Sequence, residues 1–356
     1  MNTQNHSRQE IVRRELMKKK KAKTIRNRLI VLQIVVFVVV AALVFSLIFI
    51  PGNGSLIDFK PTKTAPETIP YTLDAPVSQR IDYTPYIIHL GDEINSANAI
   101  FIDLASGEVI ADKLPDEKIY PASITKIMTA ILVIEHFEDL ETEIEVPSHI
   151  YSYLREQNAS VAGFYAGEKV KVIDLLYGVL LPSGADACLT LVSEVAGNEQ
   201  AFAKKMTEKA HEIGAINTNF VNSTGLHNDN HYSTVRDLSK ILTYALKNET
   251  FRTIFTTETY TTAKTNLHSK GIKFTNTTFA AFDRANLDNP YVKGGKTGYT
   301  GEACLCLATL AEKNGREYIL VTVKAGTPTS SKGTQHVKDA NYIYNTYPDW
   351  TANSAS

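Results

Sequence analysis

The chain has 356 residues, 44% hydrophobic and 21% charged. That excludes a fully disordered chain and leaves room for one large or two ordinary domains with a real core. The formal net charge of −1 hides an asymmetry: residues 1–28 carry ten Lys/Arg against two acids, about +8, and the remainder carries about −9, so whole-chain neutrality is no guide to partners.

Residues 29–50, LIVLQIVVFVVVAALVFSLIFI, form a run of 22 with no charge and one amide, Gln33. As a helix this run rises ~33 Å, enough for a bilayer core. A buried core helix is usually shorter and keeps a polar stripe. A cleaved signal peptide has a shorter apolar run and a small-x-small site, where this chain has Phe49-Ile50-Pro51-Gly52. The run is therefore read as one N-terminal transmembrane helix. Basic residues on its N-terminal side make residues 1–28 a cytoplasmic tail and place the acidic body outside the cell membrane. Attraction to anionic inner-leaflet lipid is a simpler use of that tail than nucleic-acid binding.

Residues 51–90 hold six of the thirteen prolines, so 51–94 reads as an extended extracytoplasmic linker. The folded body is expected over 95–347, followed by a short tail, 348–356. Residues 99–103 and 108–111, around Ser106-Gly107, read as a hairpin. Residues 123–137 are apolar almost all round, as expected of a buried central helix. Residues 172–181 and 186–195 look helical, interrupted by Pro182-Ser183-Gly184. Residues 200–213 form an amphipathic helix stopped by Gly214, and 234–246 another, with Asp237 in its first turn. Residues 303–311 and 318–324 read as strands joined across Asn314-Gly315, a strong hairpin signal. Residues 334–347 close as a helix. The order suggests an α+β fold, an antiparallel sheet covered by helices. Cys188, Cys304 and Cys306 offer no disulfide framework and are read as small buried hydrophobes.

Three short motifs carry chemistry. Ser123-Ile124-Thr125-Lys126 is an S-x-x-K; on a helix, i and i+3 share a face, so Lys126 reaches the Ser123 hydroxyl. Ser123 follows Pro121 in a first turn, where free N–H groups favour a developing oxyanion. Serine at its free pKa is a weak nucleophile and needs a base. Lysine becomes one only when its pKa falls, through burial and a nearby second cation. Lys296, in Lys296-Thr297-Gly298, is the second cation considered. Between these motifs lies Pro182-Ser183-Gly184-Ala185-Asp186.

With these motifs the chain resembles the penicillin-binding proteins and serine β-lactamases, whose set is S-x-x-K, S-D-N and K-T-G. It is most similar to the low-molecular-mass serine D-alanyl-D-alanine carboxypeptidases over about 95–346. The likeness rests on YPASITK (120–126), DLLYGVLLPSGADA (174–187), FVNSTGL (220–226), HYSTVRD (231–237) and KTGYTGEACLCL (296–307). The resemblance implies a β-lactamase/transpeptidase-like fold with an inserted helical subdomain. It implies Ser123 as nucleophile, Lys126 as neutral base and Ser183 as proton relay to the leaving amine. Lys296 holds the electrostatic network, Thr297 binds the terminal carboxylate, and Gly298 belongs with them among the substrate-binding residues. The N–H groups of Ser123 and Tyr299 form the oxyanion hole. The substrate is a peptidoglycan pentapeptide stem, β-lactams are covalent inhibitors, and no metal or organic cofactor is implied.

Two departures stand out. Ala185 occupies a position that is usually Asn; either Asp186 or a backbone group compensates, or activity is weakened. The chain also ends soon after its last helix, so the C-terminal β-rich domain and amphipathic anchor of some relatives are not expected. Three rival readings are a zinc carboxypeptidase built on His227-x-x-x-His231, a non-catalytic muropeptide or β-lactam sensor, and a β-lactamase. The two histidines flank Asn228-Asp229-Asn230 and are expected on an exposed loop, which is poor ligand geometry.

Overall fold

The computed structural model describes residues 87–347. The predicted basic tail, transmembrane helix, most of the linker and the C-terminal tail lie outside these residues. Among the described residues no helix is long and apolar enough to cross a membrane.

In chain order the strands are β1 (Ile88–His89), β2 (Asn98–Asp103), β3 (Val109–Lys113), β4 (Glu143–Glu145), β5 (Lys169–Lys171), β6 (Thr259–Thr261), β7 (Lys273–Thr275), β8 (Val292–Thr300), β9 (Cys304–Lys313) and β10 (Arg316–Ala325). The helices are α1 (Lys126–His136), α2 (Ile150–Glu156), α3 (Val172–Leu180), α4 (Ala185–Ala196), α5 (Glu199–Glu212), α6 (Val235–Ala245), α7 (Glu249–Thr256), α8 (Thr277–Arg284) and α9 (Gln335–Thr346).

The main sheet runs β1-β3-β2-β10-β9-β8. Its pairings are antiparallel except β1 with β3, which is parallel. The sheet is therefore mixed, not antiparallel throughout. The chain enters at the edge, crosses to the β2 position, and the β2–β3 hairpin returns into the gap. Ile88 pairs with Ala111 and His89 with Asp112, and Leu90 and Ile94 are buried. The folded body thus starts before residue 95. The β9–β10 hairpin turns on Asn314 and Gly315, with φ of 54° and 74°. This left-handed pair is what a two-residue hairpin requires.

Period-two alternation sorts the strand residues onto two faces. Ala99, Phe101, Leu307, Tyr318 and Leu320 join Phe282 of α8 and Val337, Ile343 and Tyr344 of α9 in one core. Ile100, Ile102, Ala308, Ile319 and Val321 face the larger core with α1 and α3–α7. The result is a sheet between two helical layers. Helix α1 is buried on nearly every side, as an apolar helix without a polar stripe must be. The predicted helix over 123–137 is in fact a 3₁₀ turn, Ala122–Thr125, leading into α1. Pro182 cannot continue α3, and the chain reverses through Ser183 before α4.

Candidate active site

Ser123 sits in the 3₁₀ turn, with Ala122 before it at φ 45°. A left-handed non-glycine residue costs about 1–2 kcal/mol and persists only where the surroundings fix it. Gly225 supplies that constraint: a Cβ there would lie 1.8 Å from the Ala122 carbonyl oxygen. One turn on, Lys126 Nζ lies 2.9 Å from Ser123 Oγ and donates to the Thr224 carbonyl at 2.6 Å. Lys126 is only 2% exposed. Burial lowers its pKa, opposed by Cys188, Asp186 and Glu199. The desolvation favours the neutral amine, which is the form able to accept a proton.

A cleft of about 570 Å³ opens over this pair, with Ser123, Lys126, Ser183, Thr297, Gly298 and Tyr299 in its walls. Ser183 is left-handed, φ 66°. Its buried Oγ has no hydrogen-bond partner among the described residues. On the other side stands β8, the edge strand, in register Lys296 to Ala308, Thr297 to Leu307, Gly298 to Cys306 and Tyr299 to Leu305. Thr297 Oγ1 donates to Thr277 Oγ1 of α8 at 2.7 Å. The Tyr299 hydroxyl donates to the Pro328 carbonyl.

The geometry departs from expectation at four points. Lys296 is fully buried, its Nζ donates to its own strand at Thr297 O, 2.8 Å, and it forms no part of the cleft wall. Burial first and the Lys126 charge second push its pKa well down. Burial, not a second cation, is therefore what lowers Lys126. Asp186 does not stand in for the missing amide at position 185. Its carboxylate accepts from the N–H groups of Ala162, Gly163 and Phe164 at 2.7, 2.9 and 3.1 Å. It clamps the cleft-wall loop, while the Ala185 N–H donates to Ser160 O at 2.8 Å.

His231 is buried rather than exposed. Its Nδ1 accepts from the Val221 N–H at 3.1 Å, so Nε2 carries the proton and donates to Thr125 Oγ1 at 2.8 Å. Both ring nitrogens are engaged, and neither is available as a ligand on the zinc reading. Burial pushes the His231 pKa down to about 3, so the ring is neutral. The three cysteines are free and buried.

A buried amine beside a serine hydroxyl, under a cleft with a second serine and an edge strand, defines a serine–lysine acyl-transfer enzyme. A family model, peptidase S11, D-alanyl-D-alanine carboxypeptidase, matches residues 86–327, and the chain belongs to that family. D-alanyl-D-alanine carboxypeptidase DacF of Bacillus subtilis (strain 168) is 32% identical over 250 residues, covering 70% of this chain and 62% of that protein. D-alanyl-D-alanine carboxypeptidase of Streptomyces sp. (strain K15) is 34% identical over 250 residues, covering 67% and 83%. The crystal structure of the Streptomyces K15 DD-transpeptidase is similar at TM-score 0.63 and 31% identity, covering 71% of this chain and 96% of that one. The fold is the α+β arrangement of these penicillin-binding DD-peptidases. The chain spans 62% of the length of the Bacillus relative.

Proposed function

We propose that this chain is a serine-type D-alanyl-D-alanine carboxypeptidase that removes the terminal D-alanine from peptidoglycan pentapeptide stems. The observation that carries the reading is the 2.9 Å contact between Lys126 Nζ and Ser123 Oγ, made by a lysine whose pKa burial lowers. Neutral Lys126 takes the hydroxyl proton as Ser123 Oγ attacks the carbonyl of the penultimate D-alanine. The N–H groups of Ser123 and Tyr299 receive the oxyanion. Collapse breaks the C–N bond, and the departing amine takes a proton relayed through Ser183, whose hydroxyl has no hydrogen-bond partner among the described residues. The Ser123 ester is then hydrolysed by water, with Lys126 again accepting the proton. Thr297 binds the free carboxylate from β8, and Lys296 supports the strand from below. β-Lactams, carrying a strained amide and a carboxylate, acylate the same serine.

The proposal extends to attachment. Residues 29–50 span the cell membrane once, the basic residues before them stay in the cytoplasm, and the catalytic body lies outside. The apolar run and its basic flank support this. Recovery of the full chain in the soluble fraction without detergent would contradict it.

The deciding experiment incubates the full chain with a pentapeptide stem and measures released D-alanine, with and without penicillin. Multiple turnovers, blocked by penicillin and abolished in Ser123→Ala, are expected. A single acylation of Ser123 without turnover would make the protein a sensor, and rapid penicillin hydrolysis would make it a β-lactamase.

A further inference from the structure

The segment Asn222-Ser223-Thr224-Gly225 is buried yet belongs to no helix or strand. Its polar groups must therefore find partners outside regular secondary structure. Asn222 Oδ1 accepts from the Gly225 N–H at 2.7 Å and closes the turn. Two carbonyls face α1. Lys126 Nζ donates to Thr224 O at 2.6 Å, and Thr129 Oγ1 donates to Ser223 O at 2.7 Å. Lys126 and Thr129, at i and i+3, share one face of that helix. The segment is the platform on which the base rests.

Ser223 has two donors left, and both go to one acceptor. Its N–H and its Oγ reach Oε1 of Glu199 at 3.1 and 2.9 Å. Ser223 is fully buried, so removing that oxygen would leave two donors unpaired, which is destabilising. Glu199 lies in the first turn of α5, behind the capping side chain of Asn198, and that end of a helix favours a negative charge. Glu199 is no part of the cleft wall, so it acts on the reaction only through other groups.

The charged groups around Lys126 narrow to two carboxylates among the described residues. Burial pushes the Cys188 thiol up to about 12 and the His231 ring down to about 3, leaving both neutral, and pushes Lys296 well down. Asp186 of α4 and Glu199 of α5 remain, and both favour the charged form of Lys126 against burial. Asp186 is engaged by the N–H groups of Ala162, Gly163 and Phe164. Glu199 instead grips the residue next to the Lys126 acceptor.

We propose that Glu199 is a positioning residue for the general base: it fixes Ser223 and, through the adjoining Thr224 carbonyl, aims Lys126 at Ser123. The proposal rests on Lys126 as the base of the reading above. Because both bonds end on a single oxygen, glutamine can keep them while removing the charge. Alanine removes bonds and charge together.

The test measures acylation of Ser123 by a fluorescent penicillin against pH, in the full chain, with thermal unfolding alongside. Glu199→Ala should acylate about 10- to 100-fold more slowly at the high-pH plateau, as expected of a misplaced group at the chemistry. Glu199→Gln should recover most of that rate. Its pH limb should lie below that of wild type, because the anion favouring protonated Lys126 is gone. A purely structural Glu199 would lower Tm in both variants and leave the rate and limb of the folded protein where they are; that result overturns the proposal. Should Glu199→Ala not fold, Glu199→Gln decides: a lowered limb supports the proposal and an unmoved one overturns it. Lys126→Ala separates this proposal from the reading beneath it. Near-normal acylation there removes the base and overturns both. Severely slowed acylation there, with both Glu199 variants like wild type, overturns the positioning role alone. Acylation without release of D-alanine would sink the carboxypeptidase reading and leave the role of Glu199 to the same rates and limbs.

Discussion

Gly298 gives the sharpest test of how β8 is set against the nucleophile. A Cβ at this position would lie 2.9 Å from Ser123 N, 3.1 Å from Ala122 Cβ and 3.4 Å from Cys306 Cβ. Ordinary van der Waals contact begins near 3.4 Å, so Gly298→Ala must open the gap to Ser123 N by about 0.5 Å. Strand β8 is held on its other side by the ladder to β9. The 3₁₀ turn cannot retreat freely either, because Gly225 closes against the Ala122 carbonyl. The displacement therefore falls on the Ser123 N–H, one of the two proposed oxyanion donors. Overpacking of this kind costs about 1–3 kcal/mol of stability. Misplacing an oxyanion donor costs on the order of 100-fold in rate. The assay is the rate of Ser123 labelling by a fluorescent penicillin, with thermal unfolding in parallel to show that the variant is folded. Gly301→Ala is the control, since its Cβ would meet nothing nearer than Pro328 O at 3.9 Å. Labelling of Gly298→Ala at the wild-type rate, with an unchanged Tm, would refute the close approach and the donor role.

Three further outcomes follow from the buried titratable groups. Lys126→Ala should fold yet acylate about 10²–10⁴-fold more slowly, the usual contribution of a general base; near-normal acylation would remove Lys126 from that role. In wild type the rate should rise with pH along a limb whose apparent pKa lies below the ordinary lysine range, because burial lowers Lys126. A limb at the ordinary value would contradict the buried-base account. His231 is lowered from 6.5 to about 3, so between these values the unfolded chain binds a proton that the folded one refuses. Its contribution to stability is intact above pH 6.5 and declines as pH falls toward 3. By pH 4.5 the loss is about 2–3 kcal/mol. Urea unfolding at pH 7 and 4.5 should show a smaller acid loss in His231→Asn than in wild type, and equal losses would sink the assignment.

Elements with strong local signals were legible in the sequence. The central apolar helix, the break at Pro182 and the Asn314-Gly315 hairpin all follow from residue chemistry at one place in the chain. Strand β8 carried the opposite signal. It holds Gly294, Gly295 and Gly298, and glycine argues against a strand. Its glycines serve close approach: a Cβ at Gly294 would lie 2.4 Å from Phe255 O and one at Gly295 2.8 Å from the Thr278 side chain. The parallel pairing of β1 is non-local and leaves no mark in two residues. His231 looked exposed because Asn228, Asp229 and Asn230 precede it. It is covered because bridges from Ile119 to Ser233 and from Asn219 to Tyr232 fold its segment against the body. The spacing of Ser123 and Lys126 predicted their contact. It could not predict that Lys296 lies beneath the wall, or that Arg284, in no motif, lies on it.

The burial of Lys126 has a consequence for the division of tasks in the cleft. A lysine exposed enough to pair with a substrate carboxylate would keep its proton, and a protonated amine cannot accept one from Ser123. A lysine dry enough to be neutral offers an anion little charge and, at 2% exposure, little access. One residue cannot serve both needs at the same pH. Lys296 does not escape the conflict, since it is buried more completely and its pKa is pushed well down. The free carboxylate is then left to neutral donors on the cleft wall, among them the Thr297 hydroxyl. Separating the base from the proposed carboxylate contact, Lys126 on α1 and Thr297 on β8, lets each be tuned by its own surroundings.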